Sequence, residues 1–131
     1  MQIQELSSHQ KITQHLIQQR ALSTKDGFED SDCKYRSALG HKCAVGCLIP
    51  DEEYLPEMEG KIVARLDKEF PTLLPKDISV EALEKWQRYH DFRLLLLDGR
   101  SFCYARWVES GDEGHHPDVV AKVIAAEHGI H

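Results

Sequence analysis

Seven consecutive residues, Cys43 to Ile49 (CAVGCLI), are apolar or glycine and run directly into Pro50, and this feature most limits what the chain can fold into. Nearly every side chain in such a run demands burial, while the proline removes a backbone donor and stops regular structure. The run therefore belongs to a core. Its length fits a buried strand or a buried helix, but only Val45 and Ile49 are β-branched, so a short helix entered from a hairpin is expected. Asp51, Glu52, Glu53, Glu57 and Glu59 follow, five carboxylates in nine positions interrupted by Tyr54, Leu55, Pro56 and Met58. So many carboxylates must face water.

A chain of 131 residues can bury a substantial core without staples, and the expectation is a single globular domain over 1–131. Hydrophobic residues at 41% and charged residues at 29% are too balanced for a disordered chain. No segment has the run of apolar residues a membrane span needs, and MQIQELSSHQKITQHL lacks the basic and apolar regions of a secretory signal, so a cytoplasmic protein is expected. A net charge of −6 opposes direct nucleic-acid binding, which depends on clustered Lys and Arg, and favours a protein partner with a basic surface.

In chain order, Ser7 and Gln10 have capping-box spacing ahead of Ile12, Leu16 and Ile17, which predicts an amphipathic helix from Ser7 to Leu22. STKDGFEDS is a surface loop. Cys33 to Arg36 and His41 to Cys43 alternate around a turn and predict a small hairpin. Met58, Ile62, Leu66 and Phe70 recur every four residues and predict a helix that Pro71 ends. Ser79 caps a helix carrying Leu83, Trp86, His90 and Leu94, expected to reach Leu97 and break at Asp98-Gly99. SFCYARWV, Ser101 to Val108, fits either period and is assigned to helix; Pro117 and Gly129 bracket a last helix. The fold expected is mainly α: a compact domain of four to six helices with a small β-hairpin.

No nucleotide loop, nucleophile elbow or complete metal signature occurs. Cys33-x-Tyr35-Arg36, then KCAVGCLIPDEEYLPEMEG, a Tyr89-His90-Asp91 helix and the closing AAEHGI together resemble small uncharacterised phage and prophage proteins with a Lys-Cys-Ala-Val-Gly core and an acidic Glu-Gly end. The resemblance spans residues 33 to 129, departs from that pattern over LLLLDGRSFCYARWVESGDEGHH, and implies a setting rather than an activity. In that setting the partner would be a host protein, in a nucleic-acid-handling or defence complex, which the chain modulates or inhibits.

Cys33, His41, Cys43 and Cys47 supply four zinc-type ligands within fifteen positions, yet no C-x-x-C knuckle, and two lie in the apolar run, where small buried thiols are ordinary. No cofactor is expected. A thiol- or zinc-dependent enzyme, or a zinc-stabilised module, using Cys43, Cys47 and His41 is the competing possibility, with His90 and Asp91 as a further base and its orienter. His115 and His116 beside Asp112 and Glu113 sit in a Gly-rich loop and are expected to be solvated. DEEYLPEMEG lacks the ligand order of a calcium loop. An apolar centre ringed by charge suits docking, so the expected binding residues are Asp51, Glu52, Glu53, Tyr54, Leu55, Glu57, Met58 and Glu59, with no catalytic or metal residues.

Overall fold

The computed structural model describes residues 7–19, 35, 42–90, 95–97 and 99–129. Ser7 opens the first helix, α1 (Ser8–Gln18), through a complete capping box: its side chain accepts from the Gln10 N–H, and the Gln10 side chain accepts from the Ser7 N–H. Ile12 and Leu16 on its inner face are fully buried. The helix was expected to run to Leu22, but residues 20–34 lie outside the described residues, as does most of the hairpin expected over 33–43. Its two described ends are joined, the Cys43 N–H donating to the Tyr35 carbonyl at 3.4 Å.

Cys43 to Gly46 and Ile49 of the apolar run are buried as expected, with Cys47 and Leu48 partly so, but the run supplies only a single turn of 3-10 helix, Gly46–Leu48. Two more such turns follow at Asp51–Glu53 and Pro56–Met58. Pro50 and Pro56 cannot donate within a longer helix, so the chain advances from 46 to 58 in three-residue turns. Gly46 is fixed by close approach, since a Cβ built there would lie 2.0 Å from the Tyr35 carbonyl oxygen.

The next helix, α2, begins at Val63 and ends at Glu69, later than the four-residue stripe predicts. Gly60 adopts φ 81°, a conformation only glycine takes cheaply, and it separates Met58 from the helix. The register is thereby reset: Val63 and Leu66 point inward, while Ile62, expected inside, is 70% exposed. α3 (Val80–His90) starts where Ser79 predicts, its Oγ accepting from the Ala82 N–H, and buries Ala82, Leu83, Trp86 and Tyr89.

The expectation that this helix continues to Leu97 is overturned. Leu95–Leu97 forms β1, paired antiparallel with β2 (Arg100–Phe102) in the register Leu95 to Phe102, Leu96 to Ser101 and Leu97 to Arg100. Alternation places Leu95 and Leu97 in the core and Leu96 in solvent. The segment Ser101 to Val108 is consequently both structures in succession, since α4 starts at Tyr104 and runs to Ser110. α5 (Pro117–His128) has Pro117 in its first turn and Gly129 beyond its last, as the sequence predicts.

The fold is compact and mainly α, with five α-helices and one two-stranded hairpin among the described residues. No helix among them is long and apolar enough to cross a membrane. Buried residues from Ile12 to Ile124 form one contiguous cluster, with Trp86, Tyr89, Tyr104 and Phe102 among its largest members. Replacing Trp86 by Ala is expected to cost about 3–5 kcal/mol in denaturant unfolding. Gly46→Ala should cost about 1–3 kcal/mol, because the added methyl meets backbone that cannot swing away.

Candidate functional site

The acidic segment is built on three inward anchors. Met58 is in the core at 1% exposure. Tyr54 is half-buried and donates its hydroxyl to Glu59 Oε2 at 2.5 Å. Glu59 Oε1 accepts from the Tyr35 N–H at 2.8 Å, and the Tyr35 hydroxyl donates to the Lys61 carbonyl at 2.5 Å. One carboxylate thus holds two donors from different parts of the chain, the charge-assisted kind of bond that is roughly twice as strong as a neutral one.

The eight expected binding residues therefore divide. Met58, Tyr54 and Glu59 hold the segment in place, and Met58 is too buried to touch a partner. Asp51, Glu52, Glu53, Leu55 and Glu57 face water. Asp51 pairs with Lys42 at 3.3 Å, an exposed contact worth little. Glu52, Glu53 and Glu57 make no ion pair among the described residues. Leu55 stands between them at 42% exposure, and Ile62 projects a second aliphatic side chain just beyond. Ile62 was missed because its four-residue spacing with Met58 and Leu66 assigned it to the core; the signal that could have found it was Gly60.

Cys43 and Cys47 are each bonded within their own turn. Cys43 is 1% exposed and its sulfur accepts from the Gly46 N–H at 3.1 Å. The Cys47 thiol donates to the Ala44 carbonyl at 3.1 Å, and burial pushes its pKa up to about 12, the neighbouring Lys42 and Lys11 only partly opposing. Cys33, His41 and Asp91, which the zinc and thiol-enzyme possibilities invoke, lie outside the described residues. His90 is half-buried and stacks on Tyr104 with ring centroids 5.6 Å apart. Among the described residues no three His, Cys, Asp or Glu side chains converge as a metal site would require.

The loop expected to be solvated is exposed at Asp112, Glu113 and Gly114, but its two histidines are half-buried and bonded to neighbouring elements. His115 Nδ1 accepts from the Cys103 N–H at 3.0 Å, and its carbonyl accepts the Tyr89 hydroxyl at 2.5 Å. His116 Nδ1 accepts from the Asp118 N–H at the start of α5 while the ring meets Trp107 edge-on at 4.8 Å. The two imidazoles thus serve different elements. A shallow depression of about 500 Å³ follows α5 past Lys122, Val123, Ala126 and Glu127. Beside it, Lys85 reaches from α3 to Glu127 and to His128 Nε2.

Comparison with protein-family models, with curated proteins and with solved structures finds no match to this chain.

The Cys47 environment carries a chemical prediction. Raising a thiol from 9.0 to about 12 leaves about a thousandfold less thiolate at neutral pH. Mass spectrometry should find native Cys47 alkylated by iodoacetamide at least about a hundredfold more slowly than in denatured protein, with the thiolate as the reacting species. Equal rates would place that sulfur in a reactive setting.

Proposed function

We propose that this protein is a non-catalytic binding protein that docks a basic protein surface through the outward face of 51–57. The phage-type resemblance supplies the setting: a host protein complex, in nucleic-acid handling or defence, that the chain modulates or inhibits in the cytoplasm. The observation that carries the proposal is that Glu52, Glu53 and Glu57 project into water without ion pairs among the described residues, around exposed Leu55, from a segment held by Met58, Tyr54 and Glu59.

Three features support docking over mere solubility. The carboxylates are unspent, so a partner's Lys or Arg need not displace an internal cation. The frame is held from beneath, which lowers the ordering cost of association. Leu55 offers an apolar contact within the charged ring, the arrangement that lets surrounding polar groups exclude water from a hot spot. The net charge of −6 adds long-range attraction to a basic partner.

Substituting Glu52, Glu53 and Glu57 together by Lys tests this. The melting curve should hold, because exposed charges contribute little to stability. Capture of a basic host protein from lysate, and its association rate once purified, should fall at least about tenfold, and added salt should weaken the wild-type complex. Undiminished binding by the triple variant at low salt would remove the acidic face from consideration.

A further inference from the structure

We propose that His9 is a proton-operated latch on the first turns of α1: uptake of one proton by its ring breaks the contact with Trp86 and loosens that end of the helix in mild acid. His9 is 8% exposed, and its ring is wedged where α1 meets both α3 and α5. Its Nε2 lies 2.9 Å from the Ala121 carbonyl, which can only accept, so Nε2 carries hydrogen. Its Nδ1 lies 3.1 Å from Trp86 Nε1, which can only donate, so Nδ1 must present a lone pair. Two partners of fixed polarity thus select one neutral tautomer, and the Trp86 ring packs against it at 5.4 Å between centroids. A second proton would set N–H against N–H across a buried contact.

His15, six residues further along α1, differs in kind. Its Nε2 faces the Lys42 carbonyl at 2.8 Å, a bond the charged ring also makes. Burial and the nearby charges of His90 and Lys42 lower its pKa, but protonation takes no partner away. At His9 the lowering comes from burial, with the Ala121 carbonyl opposing it. Of the charged groups nearby, Lys85 of α3 is engaged with Glu127 and His128 of α5, Asp77 holds the Ser8 N–H and hydroxyl at 2.9 and 2.6 Å, and Glu81, Glu84 and Arg88 of α3 and Asp118 of α5 are exposed. Lys11 and Lys122 are exposed. None of these contributes to the lowering of the His9 pKa. The second position of a helix, at the positive end of its dipole, adds to the disfavour of an imidazolium.

The sign follows from linkage. The ring is held neutral in the folded state below the ordinary value of 6.5, so its stabilising contribution is complete above about pH 6.5. As pH falls further the open state binds the extra proton, and the contribution shrinks until the folded-state pKa is reached. The population of the opened turn should rise by up to about tenfold per pH unit in that window.

Hydrogen exchange of the α1 amides between pH 7.5 and 5.5, corrected for intrinsic rates, tests this together with ring ¹⁵N spectra. Wild-type protein should show Nε2 protonated and Nδ1 bare at pH 7.5, and exchange that accelerates below pH 6.5. His9→Gln supplies an amide that can donate and accept but cannot titrate, so the acceleration should shrink in it to the part that His15, present in both proteins, supplies. Equal acceleration in the two proteins, or none in wild type, overturns the latch. If the variant does not fold, the spectra decide alone: a proton on Nδ1 at neutral pH, or a ring that titrates at 6.5 or above, also overturns it.

Discussion

The Glu59 carboxylate is the contact on which the organisation of this molecule most depends. The chain from Cys43 to Gly60 enters the core at Cys43–Ile49 and again at Met58 with no long helix or sheet to satisfy its backbone, and unpaired polar groups at those places would be costly. Glu59 answers part of that demand by taking the Tyr35 N–H on one oxygen and the Tyr54 hydroxyl on the other. With Tyr35 so placed, its carbonyl packs on Gly46 and accepts from Cys43, and its hydroxyl reaches the Lys61 carbonyl before α2 begins. The most polar-looking part of the sequence therefore contributes to the interior, and its outward acidic face is a by-product of how that interior is closed.

Much of the helical framework was legible because its signals are local. Ser7 with Gln10, Ser79, and the Pro117 and Gly129 pair each fix a terminus through a hydrogen bond or an allowed dihedral within four residues. Where the signals compete, pattern misled. Four leucines after a helix look like more helix, yet Asp98-Gly99 also marks a hairpin, and pairing Leu95 and Leu97 with β2 buries two of the leucines on one face. Gly60 likewise overrode a clean four-residue stripe and turned Ile62 outward.

The candidate site was legible in composition but not in role. Nothing in the composition of DEEYLPEMEG distinguishes Glu57 from Glu59, because what separates them is contact with Tyr54 inside the stretch and with Tyr35 far back in the chain. Long-range pairing of the same kind hid His9, whose partners are 77 and 112 residues away. Short-range reasoning sees a histidine near a helix start; only tertiary packing makes it a bridge with one permitted tautomer. Cys47 was the simpler case, since an apolar neighbourhood already implies a raised thiol pKa.

Gly46 bears on how kinship to this chain would show itself. A position where any side chain meets backbone at 2.0 Å leaves substitution no room, and the tyrosine that creates the crowding is itself held by Glu59. Glu52, Glu53 and Glu57 are under no such internal restraint and can drift with whatever they face. Descendants of a common ancestor would then agree at the sparse frame of Tyr35, Gly46 and Glu59 while diverging over the surface. Overall identity would fade long before ancestry did, and a three-residue spacing pattern would outlast it.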